Sequence, residues 1–519
     1  MANDDAPRPR LWLLVMLFAG EVLALTLFDT PHERLTRYVY NDSGADLTIA
    51  TLLARGLRPT VDFGYIYGLL PLALDGLWQG LLGANPTALR MAALACNLLL
   101  AWGLARLVTA ARVGVVGIGL IMLALPDLLQ ASTIVLVQAL EPALLVHALA
   151  FQARGKRSWA LALATADLFV KPSMAYLYGL LLVVAILVDP AERARWRRVL
   201  APATATGVVL AAGLGLLYGF VPLLNTLVPG GGLEVYRQNH YGFFHGAGRA
   251  FWALPGATVR DYLRFEVGAW LAGTAVLLAG GVAALGRIAR RNGSRVDEVV
   301  LTCAVLHAGF VCLFFGNRMS WLYYYAVLVA GLATMATRGP GAPVRVLDWL
   351  GQYRWQAAAV GLVAILTLVG SKVKFETTTR LWQTDTPVGG TLALWASPAE
   401  RQEWLTVLVM CLEEATKGEG KPVLLARVEG AAVLVPSAFD RPETAYLVPG
   451  HALQPELDRK ARQIARAPLV VRVRPRSDPA RGGYERWPAI ARALEGFDTV
   501  WQGELFEVAR RRAEATGGR

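Results

Sequence analysis

Between an apolar run near the start of the chain and a long series of further apolar runs lies a polar stretch, Asn41 to Gly68, dense in groups that could do chemistry. It holds the carboxylates Asp42, Asp46 and Asp62, the arginines Arg55 and Arg58, and the phenols Tyr65 and Tyr67. A carboxylate close to a membrane is costly to dehydrate, so it stands in water or faces a polar cavity. There it can take the proton of an acceptor hydroxyl, while lysine or arginine holds a departing phosphate. The same residues also fit a solvated loop whose acids only keep it in water, and spacing alone leaves both readings open.

Cations for a phosphate are available at predicted outer turns: Arg58 in the stretch itself, Lys171 before Pro172, and Arg318 after Gly316 and Asn317. Each of them alone also fits a snorkelling side chain at the interface. A second outer loop, residues 225–265, is rich in glycine and aromatics and carries His240, Tyr241 and His245. It reads as a lid or acceptor-binding loop, or equally as an interfacial aromatic belt.

The elements that must hold these groups are membrane helices. The 519 residues are 55% hydrophobic and 17% charged, with mean hydropathy +0.42, whereas soluble domains average about 25% charged. The net charge of +12 is spread over short loops, the pattern of cytoplasmic anchors rather than of a nucleic-acid surface. Arg8 and Arg10 precede the first apolar run, Leu11–Phe28, which is expected to be a retained span with the N-terminus in the cytoplasm. Glu21 within it is expected to face the bundle and bond to a neighbouring helix. Asp42 fits a helix cap, Gly56 a helix end, and Pro59 bars continuation.

Counting positive charges across the following runs gives about eleven spans of roughly 15–20 residues, the last at 356–370. On this count Tyr67–Gly83 lies on the outer surface or re-enters, and the chain ends outside. Cys96, Cys303 and Cys312 fall in apolar runs. Cys411, by itself in the polar region, has no partner there for a disulfide.

From about Lys372 the apolar runs shorten and the charges rise. Thr391–Ala396, Pro422–Arg427, Ala431–Val435, Leu469–Val473 and Thr499–Val508 read as strands, and Pro398–Thr416, Pro455–Ala465 and Pro488–Leu494 as helices. That alternation predicts a small α/β domain. The expected organisation is a transmembrane part, 1–371, with outer loops 29–87 and 225–265, followed by an extracytoplasmic α/β domain, 372–519. No Walker loop, dinucleotide fingerprint, zinc spacing or internal repeat is present in the sequence.

Several motifs of the first 190 residues together resemble a known family. Asp42-Ser43-Gly44, Ala54-Arg55-Gly56-Leu57-Arg58-Pro59, Val61-Asp62-Phe63, Tyr67-Gly68-Leu69-Leu70-Pro71, Leu82-Gly83 and Arg90 look like the N-terminal signature of GT-C type glycosyltransferases. These multispan enzymes use polyprenyl-phosphate sugars, and they include protein O-mannosyltransferases and the aminoarabinose transferase of lipid A. Lys171-Pro172 resembles the lysine turn they carry between short spans. Ser43 stands where the family has a second acid, and the proline after the tyrosine is displaced to Pro71.

The resemblance implies an α-helical polytopic GT-C type fold and transfer, with inversion, of a hexosyl or pentosyl group from a polyprenyl-phosphate donor. The acceptor would be a glycan, lipid or protein outside the cell (inner) membrane. It makes Asp42 the leading catalytic candidate and Asp62 the second, with Arg58, Lys171 or Arg318 on the donor phosphate. Tyr65, Tyr67, His240, Tyr241 and His245 are left for the acceptor or a lid. No cofactor, metal or nucleic acid is expected. The rival readings are a membrane transporter, which would favour repeats and matched broken helices, and a non-catalytic membrane scaffold with an outer domain.

Overall fold

The computed structural model describes residues 11–28, 43–65, 67–83, 86–132, 136–227, 265–314, 325–336, 398–426, 429–444, 452–473 and 487–512. The transmembrane part is a bundle of antiparallel neighbours. Its elements are α1 (Leu11–Phe28), α2 (Ser43–Ala54), α3 (Leu69–Leu82), α4 (Pro86–Ala111), α5 (Val115–Ser132), α6 (Leu136–Ala153) and α7 (Arg157–Leu168). They are followed by α8 (Pro172–Val188), α9 (Pro190–Arg193), α10 (Trp196–Tyr218), α11 (Phe220–Leu227), α12 (Phe265–Ala289), α13 (Arg295–Phe314) and α14 (Tyr325–Met335).

The core runs through the middle of the bundle. Phe18 of α1, Leu104 of α4, Val146 of α6, Tyr178 of α8, Cys303 of α13 and Ala330 of α14 are all buried in it. Outward faces remain apolar: Val208, Val209, Leu216 and Leu217 of α10 and Val282 and Leu285 of α12 are exposed. Such faces are stable against lipid rather than water. Met91–Ala111, Trp196–Tyr218 and Ala272–Ala289 are long and apolar enough to cross a membrane, and shorter apolar helices accompany them. The span expected at 356–370 lies outside the described residues, as does the boundary at 372.

Connectivity separates the two ends of this membrane protein. At one end lie the termini of α6–α10, α12 and α13 that carry Arg154, Lys156, Arg157, Arg193, Arg195, Arg197, Arg198, Arg287 and Arg295. Arg157 there binds Glu192 at 2.6 Å, Glu298 at 2.8 Å and Asp189 at 3.1 Å. The first loop and the turn between α7 and α8 lie at the other end. Helix α3 begins there. Its Leu70, Leu74 and Trp78 pack with Ala92 and Cys96 near the start of α4 and with Val137 and Leu140 at the start of α6. Glu21 is buried as expected, but neither of its oxygens has a hydrogen-bond partner among the described residues.

The C-terminal region forms α15 (Pro398–Thr416), β1 (Val423–Leu425), α16 (Gly430–Leu434), α17 (Gln454–Ile464), β2 (Leu469–Val473), α18 (Pro488–Leu494), β3 (Phe497–Gln502) and β4 (Phe506–Arg511). The sheet order is β1-β2-β4-β3, with β1 and β2 parallel and the other pairs antiparallel. A parallel pair needs a crossover, supplied here by α16 and α17. Trp404 of α15 packs on Phe439 and Phe506, with ring centroids 5.7 and 5.3 Å apart.

Two expected strands are corrected. Ala431–Leu434 lies in helix α16 and Val435 caps its end, with Val435 N–H donating to Ala431 O at 3.2 Å; a five-residue apolar run does not distinguish strand from helix by pattern alone. Thr499–Val508 is a hairpin, β3 to β4, because the chain turns at Gly503, whose N–H donates to Phe506 O at 2.8 Å. The strand expected at Thr391–Ala396 lies outside the described residues.

Candidate active site at the loop-bearing end of the bundle

Helix α2 leaves the polar stretch and stops at Gly56, whose φ of +76° favours glycine. The chain then folds into a small turn tied by Asp62. The Asp62 Oδ2 accepts from the Arg58 backbone N–H at 2.8 Å and from Arg58 Nε at 3.4 Å, while Asp62 N–H donates to Arg58 O at 2.9 Å. Asn225 of α11 donates to Thr60 Oγ1 at 3.2 Å. Asp62 and Arg58 are thus engaged with each other.

Beneath the turn, Phe63 and Tyr65 are buried against Ile49, Leu52, Leu69 and Phe169. Tyr65 and Tyr67 meet edge to face at 6.0 Å. Backbone bonds then dock the loop on the α7–α8 turn: Gly68 N–H donates to Val170 O, and Leu70 N–H to Phe169 O, both at 2.9 Å. Gly68 fits because it has no side chain; a Cβ there would lie 2.0 Å from Phe169 O.

Lys171 follows directly, capping the start of α8 with Pro172 at the first helical position. Its side chain is not an exposed interfacial cation. It is buried, with Nζ 3.5 Å from Glu141 Oε2. Asp167, one turn earlier, is fully buried beside it. Glu141 and Asp167 were not singled out in the sequence. Two signals marked them: an acid inside the apolar run of α6, and an acid four residues before a lysine.

The C-terminal region sits on the same loop. Arg459 Nη2 donates to Asp62 O at 2.7 Å, Gly64 N–H donates to Glu456 Oε1 at 3.0 Å, and Arg55 pairs with Glu443 at 2.7 Å. Leu47 of α2 is buried with Trp404, Val407 and Phe439. The sequence names none of these pairings, since they join residues nearly four hundred positions apart.

The structure therefore brings together Arg58, Asp62, Tyr65, Tyr67 and Lys171 at one end. Asp42, Arg318, His240, Tyr241 and His245 lie outside the described residues, and Asp46 heads α2. Among the described residues no three His, Cys, Asp or Glu side chains are grouped to hold a metal ion.

An antiparallel membrane bundle, a short helix that begins at the loop-bearing end, and a C-terminal α/β region seated on the first loop together define a polytopic membrane protein of GT-C type fold. Among solved structures, the chain is similar to that of ArnT from Cupriavidus metallidurans bound to undecaprenyl phosphate. The match covers 98% of this chain and 99% of that one, with TM-score 0.52 and 14% identity. At that identity the likeness is one of fold. No family model matches the chain, and no curated protein matches it.

Proposed function

We propose that the chain is an integral membrane glycosyltransferase that moves a hexosyl or pentosyl group from a polyprenyl-phosphate donor to a glycan, lipid or protein acceptor. Transfer takes place on the extracytoplasmic side of the inner membrane, with inversion at the sugar carbon. One observation carries this reading: the chain shares, end to end, the fold of a protein solved with undecaprenyl phosphate, and it buries Lys171 where the first loop docks. The basic end faces the cytoplasm, since arginine and lysine gather on that side. The first loop and the C-terminal domain, 372–519, then lie outside, joined to the membrane part, 1–371.

Within this reading Asp42, opening the loop, removes the acceptor proton as it attacks the sugar carbon. Lys171 meets the departing phosphate, assisted by Arg58 or Arg318. Tyr67, with His240, Tyr241 and His245 of the second loop, lines the acceptor approach. Tyr65 supports the loop from below, and the C-terminal domain covers it. Asp62, engaged by Arg58, shapes the turn that presents Arg58.

The test is sugar transfer by the purified protein in nanodiscs, from radiolabelled polyprenyl-phosphate sugars to envelope acceptors. Asp42→Asn should lower the rate by about 10²–10⁴-fold, the usual cost of a lost general base, and leave donor binding intact. Asp62→Asn should cost far less. Full activity in both variants would remove the first loop from the chemistry.

A further inference from the structure

Helix α1 packs along α4, and between them an apolar groove is lined by Leu11, Trp12, Val15, Met16 and Trp102. Trp12, Met16 and Trp102 are exposed, so the groove faces outward. Leu11 opens α1, which leads to the first loop, and α4 starts at the loop-bearing end and closes at Ala111. The groove therefore begins at the basic end and runs inward from it.

Arg106 stands on the same face of α4 as Trp102, one turn nearer the basic end. Its guanidinium lies 5.4 Å from the ring centroid of Trp102 and 4.2 Å from that of Phe151 of α6, within cation–π range of both. Its Nη1 donates to His147 Nδ1 at 3.0 Å, and His147 Nε2 is 3.0 Å from Leu99 O. A guanidinium only donates and a carbonyl only accepts, so Nε2 carries the ring proton. The imidazole is then neutral and gives Arg106 no counter-charge. Arg154, exposed just past the end of α6, is close enough for its like charge to act on Arg106, and like charges repel. Among the described residues no carboxylate pairs with either arginine. Arg157, three positions on, is instead bound by three acids. An arginine that merely snorkels keeps its head free in water, whereas two rings and a histidine hold Arg106 beside the mouth of the groove.

We propose that Arg106 and Arg154 bind the phosphate of an anionic phospholipid whose acyl chain lies in the groove along Trp12, Met16 and Trp102. Charge decides the occupant. An apolar helix from a second copy of the chain would cover the groove and leave two cations without an anion. A phospholipid supplies an apolar chain and a phosphate together, and Trp102 stands between the places for the two. Basic pockets between membrane helices take anionic head groups in this way. The site lies at the opposite end of the bundle from Lys171, so it stands or falls separately from the glycosyltransferase reading.

Native mass spectrometry tests it on the full-length protein, delipidated in detergent and titrated with phosphatidylglycerol or with phosphatidylcholine of the same acyl chains. The native protein should bind one phosphatidylglycerol about tenfold more tightly than phosphatidylcholine. Arg106→Gln should abolish that preference, and so should Arg154→Gln, whose exposed position keeps the test open should the first variant not fold. Arg198→Gln, exposed elsewhere at the basic end, should keep it, which separates a site from a diffuse basic surface. Equal affinity for the two lipids, an equal loss in Arg198→Gln, or a lipid-free dimer in place of the bound lipid overturns the proposal. So does a preference lost in Lys171→Met and kept in Arg106→Gln, which would seat the lipid at the other end.

Discussion

At the basic end of the bundle Arg157 is 5% exposed, and both terminal nitrogens of its guanidinium are bound, to Glu192, Asp189 and Glu298. Arg295 joins the same acids, at 2.9 Å from Glu298 and 3.8 Å from Asp189. At the opposite end Lys171 is buried too, with Nζ 3.5 Å from Glu141 Oε2, and neither oxygen of nearby Asp167 has a hydrogen-bond partner among the described residues. The first cluster joins α7, α8, α9 and α13 through a planar fork with bonds already made. A guanidinium suits that task because its donors are fixed in space. The second cluster is built around an ammonium, a compact charge on a flexible four-carbon stem. On the proposed function, similar burial serves scaffolding at one end and ligand capture at the other.

Breaking the scaffold should have the largest effect on stability. Arg157→Met takes the buried guanidinium from Glu192 and leaves Asp189 and Glu298 to Arg295, at a cost of about 3–5 kcal/mol, read as a lower unfolding temperature in detergent. Binding of undecaprenyl phosphate by the protein that remains folded should not change. The same cluster sets an acid limit. Burial raises the Asp189 carboxyl, but the backbone N–H groups of Glu192 and Ala191 and the Arg157 guanidinium outweigh it and hold it below its ordinary value. Its stabilisation is therefore present above a carboxylate pKa of about 4 and lost as pH falls through the folded value. Arg157→Met should weaken that acid dependence, as unfolding scans between pH 3 and 6 would show.

Breaking the capture end should invert the pattern. Lys171→Met should weaken undecaprenyl phosphate binding by about 10–100-fold, the loss of roughly 1.5–3 kcal/mol of charge-assisted bonding. Gly68→Ala should come next: the new methyl group meets the Phe169 carbonyl, an overpacking of about 1–3 kcal/mol. It should raise the KM for donor through displacement of the Lys171 turn. The smallest effect belongs to Arg459→Ala, which removes the donor to Asp62 O and about 1 kcal/mol of hydrogen bonding. Limited proteolysis should then cut the first loop faster, with donor binding retained.

Much of this arrangement was legible in the residues. The apolar runs, the basic short loops and the helix that stops at Gly56 all follow from local sequence. Local signals also placed α15, α17, β2 and α18. Others misled: the run Ala431–Val435 carries equal strand and helix character, and a turn at Gly503 was hidden inside a strand-like stretch. The pairings that build the site were beyond reach for another reason. Glu141 with Lys171, and Asp62 with Arg459, are tertiary contacts, and periodicity carries no information on which buried acid meets which cation. Glu141 was nonetheless visible as an acid in an apolar helix, a position that asks for a partner.

The most direct test of where this protein handles its donor is photo-crosslinking with a diazirine-bearing undecaprenyl phosphate in nanodiscs, mapped by mass spectrometry. The account predicts label on peptides of the first loop and on those holding Glu141, Asp167 and Lys171, competed away by unlabelled undecaprenyl phosphate and lost in Lys171→Met. Specific label confined to the basic end around Arg157, or label at the loop-bearing end that survives Lys171→Met unchanged, would contradict it.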